Sequence, residues 1–251
     1  MIELKNSQEL RAMSEACKLS NAALWAAEPY IQPGVTTKEL DHVIHKFIVQ
    51  AGGKPNFLGL YGFPGSACIS VNDQVIHGIP LPTVRLKEGD IVKIDCGALY
   101  EGFNGDNAWT FPVGKISEEA QQLLRVTEEC LMRGIAQAKP GNRIGDISHA
   151  VQEYAESFGY GVVREYVGHG VGRKLHEDPE VPNFGNPGRG PRLVPGMTIA
   201  IEPMINQSGA GVRQLSDGWT VVTQSGSLSA HFEHTVAITE TGAKIMTVRP
   251  E

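Results

Sequence analysis

The sequence predicts a mixed α/β (α+β) fold built from two similar halves within one domain. Three observations predict it. Helix-period and strand-like segments alternate along all 251 residues, a length sufficient for one large core. Pro33-Gly34 recurs as Pro140-Gly141, 107 positions later. At that same offset two apolar strand-like runs, residues 91–94 and 198–201, lead into carboxylates, Asp95 and Glu202.

The elements follow in order. Ser7 is placed to cap a first helix carrying Leu10, Met13, Cys17 and Leu24. Thr36 and Glu39 form a capping box for a second, whose apolar face is Leu40, Val43, Ile44, Phe47 and Ile48. Gly52 ends it. Strand-forming residues then run from Ile91 to Phe111, with Tyr100-Glu101-Gly102 as the turn. A hairpin centred between Tyr100 and Glu101 would set Asp95 directly opposite Asp106. Ser117 is placed to cap a third helix, with Leu123, Leu124, Cys130 and Leu131. A fourth repeats the phase of the second through Ile147, Ala150, Val151, Tyr154 and Ala155, with Gly159 beyond its end. Residues 179–195 are rich in Gly and Pro and read as a loop. The expected halves are approximately 1–112 and 113–251 of a single domain, 1–251.

Composition narrows the function. Lys and Arg number 22 against 28 Asp and Glu, a net charge of −6. That balance opposes nucleic acid or an anionic membrane as a partner held by bulk charge. No apolar run approaches the ~20 residues of a membrane helix. Glu3, Lys5, Glu9, Arg11, Glu15 and Lys18 interrupt the first segment, which reads against a secretory signal. Cys17, Cys68, Cys96 and Cys130 form no C-x-x-C pair, so buried, reduced thiols in a cytoplasmic protein are expected.

The chemistry lies in acids and histidines. Opposed carboxylates at Asp95 and Asp106 would destabilise a sheet unless a divalent cation lay between them; the plain alternative is two solvated strand residues. In Gly168-His169-Gly170-Val171-Gly172, glycines interleave with a histidine, where backbone could approach a ligand, and His176 follows seven residues after His169. Glu202 ends an apolar strand and Glu233 lies in a late strand-like run, so both need partners if buried. The pool of Asp95, Asp106, His169, Glu202 and Glu233 is rich in oxygen and free of sulfur, which suits Mn, Fe, Co or Zn ions held in pairs.

This ordered set, with His77-Gly-Ile-Pro80, Gly105-Asp106, Gly168-His169-Gly170, Glu202-Pro203 and Asp217-Gly218-Trp219, resembles the methionine aminopeptidases, most closely the bacterial-type short form, type I. The resemblance covers essentially the whole chain. It implies the pita-bread fold, in which pseudo-two-fold duplicated halves share a central antiparallel sheet covered by helices. It implies a dinuclear metallo-exopeptidase, a hydrolase removing the N-terminal methionine from nascent proteins and peptides, with preference for a small second residue.

Residue by residue, the resemblance implies that Asp95 binds one ion, His169 the other, and Asp106 and Glu233 bridge both. Glu202 would be a ligand and the general base for a metal-bridging hydroxide. His77 and His176 would contact substrate, and Phe63, Cys68 and Trp219 would line the methionine pocket. Phe57 and Leu60 stand where many relatives carry Cys or Tyr, Leu175 where some carry Phe, and Asn107 and Trp109 are unusual beside the second aspartate. The family precedent implies a monomer acting on nascent chains, near the ribosome. Two rivals are a pita-bread binding protein without catalysis and a proline-selective aminopeptidase or creatinase.

Overall fold

The computed structural model describes residues 1–249. Its helices are α1 (Ser7–Ala27), α2 (Thr37–Gln50), α3 (Glu118–Gln137) and α4 (Ile144–Ser157). The strands of the first half are β1 (Lys54–Pro55), β2 (Ala67–Val71), β3 (Gln74–Ile76), β4 (Ile91–Tyr100) and β5 (Phe103–Pro112). The second half begins with β6 (Gly161–Val162), β7 (Gly168–Gly170), β8 (Glu177–Val181), β9 (Thr198–Ile201) and β10 (Met204–Asn206). It ends with β11 (Val212–Gln214), β12 (Val221–Thr223), β13 (Ser229–His231), β14 (Glu233–Thr239) and β15 (Gly242–Ile245).

Each half contributes two helices and a share of one nine-stranded sheet, ordered β1-β4-β5-β14-β9-β7-β8, with β2 on β4 and β15 on β14. Every pairing in it is antiparallel. The halves join where Glu233 of β14 pairs with Ala108 of β5. Thus β4 and β5 of the first half carry Asp95 and Asp106, while Glu202 follows β9 and Glu233 opens β14.

The apolar faces read from the helical period are buried along their centres, but Phe47, read as part of the α2 face, is 37% exposed, because it lies at the edge of that face. Leu40, Ile44 and Ile48 of α2 join Ile69, Val92 and Ile94 in one cluster; Leu123, Ile147 and Val151 join Ile199, Ile201 and Val236 in another. Trp109 packs against both, its ring 5.6 Å from Trp25 and 4.7 Å from Phe232. Asn107 points to the other side of β5 from Asp106. Its amide accepts a hydrogen bond from Asn21 (2.7 Å) and donates to Ser20 and to the Cys96 carbonyl (2.9 Å each), tying α1 to the sheet. Lys93 is fully buried, and its ammonium donates to the carbonyls of Asn72 (2.6 Å) and Ser229 (2.9 Å), joining the turn before β3 to β13. All four cysteines are free and buried.

Four local expectations are corrected. Asn6, rather than Ser7, caps α1, because Glu9 then occupies the third helical position and closes the capping box. The β4–β5 turn is centred on Glu101 and Gly102, both at positive φ (49° and 80°), so Asp95 pairs with Ala108 and Asp106 with Gly97. Asp95 lies within β4 rather than at its end. The glycines flanking His169 admit neighbouring backbone rather than a ligand: a Cβ at Gly168 would stand 2.4 Å from the Ala200 carbonyl oxygen, and one at Gly170 2.2 Å from that of Asp178.

Candidate metal centre and apolar cleft

A cavity of about 750 Å³ opens on the face of the sheet opposite the helices' apolar contacts with β4 and β9, and all twelve residues singled out from the sequence line it. In its wall, one carboxylate oxygen each from Asp95, Asp106 and Glu233 lies within 4.8 Å of the others. The β4–β5 pairing explains how. Moving the register by two residues preserves the alternation of faces, so Asp95 and Asp106 still project to the same side. Glu233 enters beside them because β14 pairs with β5.

His169 and Glu202 complete the cluster. The His169 Nε2 atom lies 3.6 Å from an oxygen of Asp106 and 3.6 Å from Oε1 of Glu202. Its Nδ1 is 2.8 Å from the Gly170 carbonyl, which can only accept, so Nδ1 carries the proton and Nε2 offers its lone pair to the cavity. The Asn183 side chain donates to the Glu202 carbonyl at 2.9 Å and holds that segment.

Burial dominates the electrostatics. It lifts Asp95, Asp106, Glu202 and Glu233 above the ordinary carboxylate range, and neighbouring negative charge adds to the rise at Asp106 and Glu233. Four desolvated carboxylates this close do not all ionise without a counter-charge. Asp95 Oδ1, Asp106 Oδ1 and Glu233 Oε1 are buried with no hydrogen-bond partner among the described residues. Oxygens so placed, with one imidazole and no thiolate among them, fit a divalent cation. The Cys68 thiol lines the same cavity, but burial, then the charge of Asp95, holds it protonated.

Another part of the cavity wall is apolar. Phe57, Phe63, Cys68 and Leu175 form a cluster of their own, with Leu60, Ile79 and Trp219 packed against it. The Phe63 and Trp219 rings meet edge-to-face at 5.1 Å. His176 lies 4.4 Å from His169, ring to ring, and His77 stands on edge against Tyr166 at 5.6 Å. Burial lowers the pKa of both, His77 to about 4 with a further contribution from His231, so both are neutral near pH 7.

The Metallopeptidase family M24 pattern matches residues 11–240. A methionine aminopeptidase of Clostridium perfringens is 55% identical over 248 residues, covering 99% of each chain. Methionine aminopeptidase 1 of Bacillus subtilis is 53% identical over 247 residues, 98% of this chain and 99% of that one. The chain belongs to the methionine aminopeptidases of metallopeptidase family M24. The family's architecture is present throughout: the crystal structure of methionine aminopeptidase from Thermotoga maritima superposes with a TM-score of 0.97 at 47% identity, covering 98% of this chain and 99% of that one. The fold is therefore the pita-bread arrangement, and membership of this family carries use of divalent metal, for which the acidic cluster is the candidate site. Among the described residues, no helix is long and apolar enough to cross a membrane.

Three residues at or beside the site escaped the sequence reading. Tyr61 (φ 50°) lines the cavity with its ring stacked on His176 at 6.3 Å. Tyr166 backs His77. His231 is buried, 3.6 Å from Oε2 of Glu202. A tyrosine in a loop and a histidine on a strand carry no spacing that distinguishes a site from a core, so the sequence held no signal for them.

Proposed function

We propose that this chain is a methionyl aminopeptidase that hydrolyses the bond after the N-terminal methionine of peptides and nascent proteins, preferring a small second residue. One observation carries the reading: a cluster of buried, unpartnered carboxylate oxygens and an apolar cluster line one and the same cavity. Such a cavity takes a peptide terminus with a free α-amino group at its acidic end and an unbranched thioether against its aromatic wall.

Asp95, Asp106, His169, Glu202 and Glu233 would hold two divalent ions, of Co, Mn, Fe or Zn: Asp95 on one, His169 on the other, Asp106 and Glu233 shared. When bound, the ions supply Lewis acidity toward the scissile carbonyl and lower the pKa of water. Glu202, beside His169, accepts the proton of the attacking water on a carboxylate oxygen and returns it to the departing amine nitrogen. His176, neutral, donates an N–H to the developing oxyanion. His77 holds the following peptide unit. Phe57, Leu60, Phe63, Cys68 and Trp219 enclose the methionine side chain and exclude water from it.

Residues 1–251 would act as one catalytic domain, since Asp95 and Asp106 come from one half and His169, Glu202 and Glu233 from the other. Four free, buried cysteines support a reducing, cytoplasmic setting. The family resemblance supports a monomer acting on nascent chains near the ribosome. Hydrolysis of Met-Ala-Ser, Met-Leu-Ser and an Xaa-Pro peptide with Mn²⁺ or Co²⁺ tests the reading. Met-Ala-Ser is cleaved fastest; preferential cleavage of the Xaa-Pro peptide, or of none, overturns it.

A further inference from the structure

Glu202 stands between two imidazoles. Its Oε1 faces His169 Nε2 and its Oε2 faces His231 Nε2, each at 3.6 Å. The two histidines are not equivalent. His169 has its Nδ1 bonded to the Gly170 carbonyl. His231 is 1% exposed, and neither of its ring nitrogens has a hydrogen-bond partner among the described residues. A buried imidazole with two unsatisfied nitrogens is costly and rare, and its retention calls for a function.

The backbone around His231 is fixed. Its N–H donates to the Thr110 hydroxyl at 3.0 Å, and that hydroxyl donates to its carbonyl at 2.6 Å. Met204 pairs with it across β10 and β13. Phe232 is locked edge-on against Trp109 at 4.7 Å. The imidazole is therefore held toward Glu202 by strand geometry on both sides; Asp95 and Lys93 lie near enough to act on it by charge, but no hydrogen bond among the described residues fixes its tautomer.

We propose that His231 is a positioning residue for the reaction: it donates Nε2–H to Oε2 of Glu202 and so orients the carboxylate that moves the proton. This rests on the aminopeptidase reading and adds to it a group that the sequence pattern does not mark. Donation needs the 3.6 Å separation to close by less than 1 Å, within the tightening that catalytic hydrogen bonds show when a site is filled. With Oε2 fixed, Oε1 is the oxygen directed at the metal cluster and the substrate.

The test compares the wild type with His231→Phe, which keeps a ring and removes the donor, and with His231→Gln, which restores an N–H. Kinetics on Met-Ala-Ser are joined by Co²⁺ titration, read as calorimetric stoichiometry and as the visible Co²⁺ spectrum. His231→Phe lowers kcat by about ten- to a hundredfold with KM within about twofold, as expected for a misplaced proton carrier. His231→Gln recovers kcat to within about threefold of wild type, and both variants keep the wild-type ion stoichiometry. If His231→Phe fails to fold by circular dichroism, His231→Ala takes its place. Wild-type kcat in the variant lacking the donor overturns the proposal, as does a His231→Gln variant equally impaired. Loss of one bound ion on removing the imidazole also overturns it, because His231 would then be a ligand. An inactive wild type would instead refute the aminopeptidase reading.

Discussion

Asp106 lies diagonally across the β4–β5 ladder from Asp95: Asp95 pairs with Ala108, and Asp106 with Gly97. Both side chains leave the same face of the sheet, and an oxygen of each comes within 4.8 Å of the other and of Glu233. Adjacent strands thereby place like charges where only a counter-charge makes them stable together.

Glu202→Gln removes the proposed proton acceptor while keeping the side chain's shape. The variant folds, with a circular dichroism spectrum like that of the wild type, and loses turnover of Met-Ala-Ser by about 10²-fold or more. Near-wild-type hydrolysis by this variant excludes Glu202 as the base.

The pH dependence of metal binding follows from the carboxylates. Burial raises Asp95 from 3.8 to about 7 and Glu202 from 4.5 to about 7. Between those limits the folded, metal-free chain binds more protons than the unfolded chain. These groups therefore contribute stability at low pH that is lost as pH rises toward about 7. A bound divalent ion must displace those protons, so it is opposed at low pH and favoured above. The rise in Tm produced by a fixed Mn²⁺ concentration grows from pH 6 to pH 8. Taking the difference with and without Mn²⁺ at each pH cancels the contribution of groups that do not interact with the cluster. A constant rise contradicts the assignment.

Gly105 lets α1 lie on β5. A Cβ there would stand 2.5 Å from the Ala16 carbonyl oxygen, which helix backbone cannot yield cheaply. Gly105→Ala destabilises the protein by about 1–3 kcal/mol, read by urea unfolding, and Asp106 next to it is displaced. An unchanged unfolding midpoint contradicts this packing.

The apolar cleft, read as the methionine site, predicts a binding defect. Trp219→Ala removes the edge-to-face partner of Phe63 and part of the apolar wall. The variant loses kcat/KM for Met-Ala-Ser by about tenfold or more, the equivalent of about 1.4 kcal/mol of apolar contact. Ion stoichiometry is unchanged. Equal kcat/KM for the two proteins places the methionine elsewhere.

How far the sequence reached depends on the range of each signal. The capping box of Thr36 and Glu39 and the cap at Ser117 are local, and both form as read. At α1 two good caps stand side by side, and the position of Glu9 decides for Asn6. The hairpin register depends on which pair of residues takes positive φ, and Glu101 does so although it is not glycine. Lys93 interrupts the strand-like run 91–94 without a local sign of its fate, and it is buried against two carbonyls from distant segments. His231 becomes notable only when Glu202, 29 positions earlier in the sequence, is brought beside it. Long-range contacts of this kind leave no mark on local pattern.

In the proposed reading, five side chains from both halves hold a pair of divalent ions. Crystals soaked in Mn²⁺ and measured at its absorption edge test it most directly. Two anomalous peaks are expected between Asp95, Asp106, His169, Glu202 and Glu233. A single peak, or peaks remote from these residues, would contradict it.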